Sequence, residues 1–439
     1  MNSLYSAKER RGWYLYDWAA TAFSSTVVAL FFGPYITGLA KAGADARGMI
    51  HPLGITVDAR SYWSYLVSLS VLLQVLFLPM AGAIADYGRR KKQCLAATAY
   101  LGAAAAAAMF VLKGSDFKLG GALFLIANVS FGASIVIYNS FLPEIAPPED
   151  RDAVSSRGWA AAYLGAGLLL ILNLILYTRA SSFGLTEGFA VRVSLCSAGV
   201  WWAIFTVPAL LALRNRGRAR ALPPGQSMIG AAVRQLAHTV RGIRRYRQTM
   251  IFLAAYLLYK DAIETVVAVS TQFANDELKM PVSQLTQVIL MVHFVGIAGA
   301  LGFNVLARII TAKRAVAASL VIWTALLVYI YALLRTPAQF FAVAAVVALV
   351  LGGSQALSRS LYAQLIPSGK EAEYFSVYEI SDKGTSWLCP VLFGLALQFT
   401  GSYRLAILSL VVFFAAGLLV LLKVDVEQGE REVLAAQAA

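Results

Sequence analysis

Charge is scarce in this sequence. Asp, Glu, Lys and Arg make up 14% of its 439 residues, where a soluble domain carries about 25%. Apolar residues reach 59%, above the roughly 45–50% of a soluble chain. The deviation points to an integral membrane protein. Cysteine and histidine are nearly absent too. Cys94, Cys196 and Cys389 each lie in an apolar segment and no two form a C-x-x-C pair, so they read as small buried hydrophobes. His51, His238 and His293 are scattered, which leaves a zinc site of ordinary ligand spacing unsupported. No metal and no cofactor is expected. The phosphate-binding pattern G-x-x-x-x-G-K-[ST] does not occur, and the polar segments are too short for a nucleotide-binding domain, which argues against an ATP-driven pump. Strand-like alternation over about 10 residues, the mark of a membrane barrel, does not recur either.

What is present is a series of long apolar runs. Crossing the hydrocarbon core takes about 20 helical residues, and backbone groups in lipid must bond internally, which favours helices. Twelve runs are long enough: 13–40, 63–86, 92–112, 119–143, 157–179, 190–213, 249–273, 285–308, 314–335, 338–366, 374–400 and 403–423. The ninth and tenth are parted only by a turn at Thr336-Pro337. The chain starts basic, with Lys8, Arg10 and Arg11, and its first apolar run continues past Phe31 without a small-residue cleavage site. It therefore reads as an uncleaved span. The expected fold class is an all-α membrane protein with 12 transmembrane helices.

Lys and Arg set the orientation. With both termini cytoplasmic, the inner stretches hold 24 of the 37 basic residues and the opposite loops 10. This bias predicts both ends inside, and it accounts for the net charge of +14 without nucleic acid. Nine arginines fall between 214 and 247, where anionic headgroups are their expected partner. That stretch, with Pro223, Pro224, Gly225 and a short amphipathic segment at 226–247, divides the chain. Residues 1–213 are expected to form one six-helix bundle, 214–248 a basic cytoplasmic linker, and 249–439 a second six-helix bundle with a short cytoplasmic tail. Two six-helix halves related by an axis along the membrane normal are a transporter plan. A monomer in the cell membrane, the inner one if the source is bacterial, is expected.

The turn between the second and third spans reads Gly82-Ala-Ile-Ala-Asp86-Tyr-Gly88-Arg89-Arg90-Lys91-Lys92. Gly82 permits close helix contact, Asp86 can accept hydrogen bonds near the next helix N-terminus, and Gly88 suits a tight turn. The Gly82, Asp86, Gly88, Arg89, Arg90 arrangement resembles the loop signature of the major facilitator superfamily. Tyr16-Asp17-Trp18-Ala19-Ala20-Thr21-Ala22-Phe23, Ser155-Ser156-Arg157-Gly158-Trp159 with Tyr163-Leu164-Gly165, and the stretch from Gly352 to Lys383 narrow the likeness to its vacuole-effluxer-like branch, named for an autophagy-related amino-acid exporter. The resemblance covers nearly the whole chain. It implies that Asp86 and Arg89 join a cytoplasmic charge network, with Glu144 at the end of the fourth span as the partner for Arg89. It also implies a central cavity lined by helices one, four, seven and ten. The matching loop of the second half, Asn304 to Arg314, lacks the Asp and the central Gly.

An ionised group inside a bilayer costs several kcal/mol unless it is paired or faces water. The spans nevertheless carry Asp17, Asp261, Glu264, Glu379 and Asp382 against Lys260, Arg359 and Lys383. Tyr256, Lys260 and Glu264 recur every four residues, and Glu379, Asp382 and Lys383 are spaced three and four, so each set shares a helix face. Lys260 and Glu264 read either as an i,i+4 tie to neighbouring helices or as cavity groups linked to substrate or proton. Arg359 reads as a structural or gating residue with Asp17 and Glu379 as partners. Tyr138, Asn139 and Gln355 join the cavity set. Asn128 and His293 read as packing groups, and Trp13, Trp63 and Trp387 as an interfacial belt. Five acids against three bases leave up to two carboxylates without a basic partner. A buried unpaired carboxylate tends to take a proton, which makes Asp261, Glu264 or Asp382 a proton-coupling acid.

The expected function is secondary transport of a small solute by alternating access, coupled to protons. A cavity with both acids and bases suits a zwitterion such as an amino acid. Multidrug or other metabolite efflux is the alternative within the class, and an intramembrane enzyme or a non-transporting sensor the alternative outside it. An enzyme needs a paired-acid, Ser–His or His-rich constellation; Asp261 and Glu264 come nearest, with Lys260 beside them favouring charge pairing.

Overall fold

In the computed structural model the residues described are 6–59, 62–86, 90–215, 246–280, 282–384, 388–400 and 402–438. Among them ten helical segments are long and apolar enough to cross a membrane: Ala7–Ala42, Tyr65–Ala85, Lys91–Val111, Phe117–Ile145, Pro148–Thr178, Glu187–Ala212, Gln287–Ile310, Ala312–Ala332, Pro337–Gln364 and Tyr403–Leu422. Two expected spans are not among the ten. The run at 249–273 lies in one continuous 30-residue helix, Arg247–Asp276, whose Lys260, Asp261 and Glu264 dilute its apolar character. The run at 374–400 is described as two helices, Glu371–Gly384 and Leu388–Thr400.

By contacts the chain forms two units, one of residues 6–138 and 161–221, the other of 139–160 and 222–439 together with 1–5. The amino-terminal unit begins with α1 (Ala7–Phe23), whose N-cap Ser6 accepts a hydrogen bond from the Lys8 amide. A π-helical segment, Ser24–Phe31, carries it into α2 (Phe32–Ala42). A small ribbon follows, β1 (Met49–Ile50) paired antiparallel with β2 (Val57–Asp58). Asp45 fixes the approach to it by accepting from the amides of Arg47 at 2.8 Å and Met49 at 3.0 Å. Those donors, Met49 first, hold the Asp45 carboxyl below its usual range. Then come α3 (Tyr62–Asp86), α4 (Lys91–Ala108) and α5 (Phe117–Ser140). The helix α8 (Glu187–Ala212) packs against α1 and α4 over a core that includes Phe23, Phe131 and Trp202. Gly199 makes the α4 contact possible: a Cβ there would lie 2.5 Å from both the Ala103 carbonyl oxygen and the Ala107 amide nitrogen. Trp13, expected at the membrane interface, is instead fully buried. Its indole N–H donates to the Tyr138 carbonyl at 2.9 Å and its ring stacks on Tyr138 at 4.3 Å; an indole whose polar atom is satisfied internally has no need of the water boundary.

The carboxy-terminal unit takes in the end of α5, the short α6 (Leu142–Ile145) and the start of α7 (Arg151–Thr178). It continues with α9 (Arg247–Asp276), α10 (Val282–Ile310), α11 (Ala312–Ala332), α12 (Pro337–Gln364), α13 (Glu371–Gly384) and α14 (Leu388–Thr400), then α15 (Tyr403–Ser409), α16 (Val411–Leu422) and α17 (Val426–Ala438). The Thr336-Pro337 turn starts α12 with a capping box: Thr336 and Gln339 satisfy each other's backbone amides, and Pro337 at the first helical position loses no bond it could have made. The tail is itself ordered. Gln248 ties the first turn of α9 to α17 through Gln428 at 2.9 Å and Glu432 at 3.3 Å, and Gly429 lies against Leu365.

Gly199→Val drives a branched side chain into the α4 backbone. Overpacking of this kind costs about 1–3 kcal/mol, so the thermal midpoint in detergent should fall clearly. Gly188→Ala, at a position with open space around its Cβ, should leave that midpoint unchanged.

Candidate functional site

The last turns of α12 are buried on every side, from Gly352 to Ala363. A run of small residues (Gly352, Gly353, Ser354, Ala356, Ser358, Ser360) lets neighbouring backbone approach closely, and Arg359 sits between the last two. Arg359 is 5% exposed. Its Nε donates to Ser155 Oγ at 2.9 Å, its Nη2 to the Ser155 carbonyl at 2.8 Å, and its Nη1 to Asn139 Oδ1 at 3.4 Å. The Trp159 ring lies 5.5 Å from the guanidinium carbon, within cation–π range. A charge-assisted hydrogen bond contributes about 1.5–3 kcal/mol, so the Ser155 pair alone offsets much of the burial.

The same contact continues on both sides of Arg359. The Ser155 hydroxyl in turn donates to the Ala356 carbonyl at 2.7 Å. Ser360 donates to the Asp152 carboxylate. Arg151 donates through Nη1 to the Ala363 carbonyl at 2.8 Å and through Nε to that of Ala146 at 3.3 Å. Arg151, Asp152, Ser155 and Trp159 thus belong to the Arg359 site, although no charge pairing legible in the sequence assigns them there. The available signal was the Ser155–Trp159 stretch: small polar residues and an aromatic at the head of an apolar helix.

Asn139 uses both ends of its amide. While Oδ1 accepts from Arg359, Nδ2 donates to Glu379 at 3.3 Å. Glu379, expected as a partner of Arg359, shares Asn139 with it. Asp17, the other expected partner, lies in the amino-terminal unit, where it accepts from the Tyr138 hydroxyl at 2.8 Å and from Thr21 at 3.4 Å.

On α9, Lys260 and Glu264 meet at 2.5 Å. The pair is lopsided: the Lys260 side chain is 10% exposed and that of Glu264 50%. Asp261, 2% exposed, points elsewhere and accepts from the Cys389 amide at 3.0 Å. Tyr256 stacks on Tyr378 at 4.2 Å, and Tyr378 on Tyr362 at 4.9 Å; Tyr259 shares a hydrogen bond of 2.6 Å with Ser358. Gln355 is buried on α12. Of the turn residues, Gly82 is buried on α3, Arg90 is exposed before α4, and Glu144 is half-buried on α6. Gly88 and Arg89, the side chains of Asp86, Asp382 and Lys383, and Trp387 lie outside the described residues, as does the amphipathic segment at 226–245. Among the described residues no group of three His, Cys, Asp or Glu side chains could hold a metal ion.

The family described as "Vacuole effluxer Atg22 like" matches residues 5–434. An uncharacterized MFS-type transporter, YxiO of Bacillus subtilis (strain 168), is 28% identical over 417 residues, covering 94% of each chain. Autophagy-related protein 22-1 of Penicillium rubens is 29% identical over 546 residues, covering 98% of this chain and 92% of its own. Among solved structures, the human organic anion transporter MFSD10 superposes with a TM-score of 0.66 at 13% identity, covering 95% of this chain and 100% of that one. The proton:xylose symporter XylE superposes with 0.71 at 11% identity, covering 96% of each. At such identities the superpositions speak for the fold, and the family match over nearly the full length speaks for descent. The chain belongs to the vacuole effluxer Atg22-like family and is a multi-pass membrane transporter of the major facilitator type.

Proposed function

We propose that the protein moves a small zwitterionic solute, an amino acid or a close relative, across the membrane by alternating access, with protons as the coupling ion. The observation that carries the substrate reading is the Lys260–Glu264 pair, an ammonium and a carboxylate 2.5 Å apart on a helix expected to line the cavity. A zwitterion can replace this pair one group at a time: its carboxylate takes the Lys260 ammonium and its own ammonium takes Glu264. The half-exposed Glu264 yields first. Protonation of Glu264 releases Lys260 for the substrate carboxylate, and return of that proton to water restores the carboxylate that takes the substrate ammonium, which links proton and solute binding. The word "effluxer" in the family description supports outward movement from the compartment that holds the solute.

Arg359 is the gate in this reading. Its partners Asn139 and Ser155 come from the first half of the sequence, while Arg359 and Glu379 come from the second. Orientation by basic residues puts this contact on the cytoplasmic side, and opening a path there requires the Ser155 and Asn139 bonds to part. The Asp86 and Arg89 turn, with Glu144, is the second element of that gate. The basic linker rests on anionic headgroups, and the protein works as a monomer with its six-helix halves as the moving bodies.

The test is flux in proteoliposomes loaded with an isotopically labelled mixture of the common amino acids. Protein-dependent release of one or more of them is expected; release of none, with cationic or lipophilic compounds transported instead, overturns the zwitterion. Arg359→Lys keeps the charge but loses the planar fork. It should slow flux by about tenfold or more, the equivalent of one charge-assisted hydrogen bond, while the stabilisation of purified protein by the transported amino acid stays near wild type. A variant that cycles normally and binds poorly contradicts the gate.

Glu264→Gln removes the proton site and keeps the shape. Wild-type flux should respond to an imposed pH gradient, and the Gln variant should be indifferent to it with a raised KM. Wild-type indifference to the gradient rules out proton coupling, and an unchanged response in Glu264→Gln removes this residue from the role.

A further inference from the structure

The first turn of α9 opens without a cap of its own. Its N-cap residue, Tyr246, makes no side-chain hydrogen bond there, and the first amides of a helix have no partner within it. The tail supplies one. The Glu432 carboxylate accepts from the Gln248 amide at 3.3 Å, and a negative charge at a helix N-terminus is favourable. The Gln248 side chain, 4% exposed, is used at both ends by the same tail. Its Nε2 donates to Gln428 Oε1 at 2.9 Å, and its Oε1 accepts from the Asp425 amide at 2.9 Å. Beside it, the buried Thr249 hydroxyl donates to the Leu365 carbonyl at 2.7 Å, which joins the start of α9 to the end of α12. The tail helix α17 packs against both. Gly429 lets it approach, since a Cβ there would run into the Leu365 side chain.

The tail is held firmly at its root and lightly beyond it. Lys313, at the start of α11, donates to the Leu422 carbonyl at 2.9 Å and to the Val424 carbonyl at 2.6 Å, so the chain is fixed as far as the buried Val424. Past Asp425 the grip changes. Among the described residues of α17, Gly429 and Val433 are the ones buried, while Glu427, Gln428, Arg431 and Leu434 are exposed. So little apolar surface places α17 among the elements that open locally, at a cost well below that of unfolding the unit.

We propose that α17 is a detachable strap. Docked, it clamps the last turn of α12 to the first turn of α9. Released about a hinge at Val424–Asp425, it frees both. Arg359 lies six residues before Leu365, so the strap sets how readily the turns that carry the guanidinium open. Its bearing on transport rests on Arg359 acting as the gate; the strap itself does not. It holds whatever solute is carried and whichever residue binds protons.

Hydrogen–deuterium exchange of the purified full-length protein, read peptide by peptide, tests this. Gln248→Ala removes both side-chain bonds to the tail. Exchange should rise about tenfold, as expected of two lost hydrogen bonds, in α17 and also in residues 357–365 at the end of α12. Peptides of α16 should keep the wild-type rate. Gln428 is exposed, so Gln428→Ala keeps the fold and should give the same pattern at smaller amplitude, even where Gln248→Ala fails to express. A tail that merely covers the surface gives faster exchange in α17 and none in α12. Unchanged exchange at 357–365 in both variants overturns the proposal, and so does a rise that spreads equally through α16. The readout involves no flux, so its outcome is separate from that of the Arg359 gate.

Discussion

A guanidinium inside an apolar helix bundle is the constraint on which the carboxy-terminal unit depends. Arg359 cannot lose its proton, so burial cannot neutralise it, and a buried charge without partners destabilises by about 3–5 kcal/mol. The surrounding sequence is therefore shaped to bring oxygens to it. Gly352 lets α12 approach the α10 backbone at Gly296, and Gly353 leaves room for the Phe303 ring. Ser155 contributes twice, through its hydroxyl and through a carbonyl that has a second lone pair left after its helical bond. Asn139, one residue past the unit boundary on α5, supplies the third oxygen.

What Asn139 does beyond that gives the network direction. An amide has an acceptor and a donor end, and here both are used, one by Arg359 and one by Glu379. Glu379 stands on α13 and Arg359 on α12, so the amide transmits a shift of one helix to the other. The Tyr362 hydroxyl, donating to the Tyr374 carbonyl at 2.7 Å, ties the same two helices at their turn. The Ser155 bonds hold α12, and Asn139 and the Tyr362–Tyr374 bond join α12 to α13, so the proposed gate involves both helices.

Much of this was legible in the sequence, and the limits have physical reasons. Long apolar runs declare themselves because length and composition suffice, so ten spans were readable from hydropathy. The helix Arg247–Asp276 was readable only by accepting charges inside an apolar run. Arg359 announced itself because charge is rare there. Its partners did not, because Ser155 and Asn139 are neutral and charge balance points to carboxylates instead. Trp13 was misread for a related reason: a tryptophan near a span end resembles an interfacial anchor until its N–H is found bonded to the Tyr138 carbonyl inside the core. The folded-back tail helix α17 gave little signal either, since its contacts run through Gln248, Gln428 and Glu432, residues that look like ordinary solvated surface.

The two charged sites of the carboxy-terminal unit differ in how easily they can be broken, and that difference suits different tasks. Arg359 is 5% exposed and shares a guanidinium among several acceptors, so releasing it requires several bonds to part together. Lys260 and Glu264 lie on one helix, four residues apart, and Glu264 is half-exposed. Their separation does not require helices to move; a change of rotamer or of protonation is enough. A pair of this kind can exchange its internal partner for an external one without disturbing the fold around it, because the helix backbone holds both groups in register throughout. The concerted network is suited to holding a conformation, the local pair to recognising what passes.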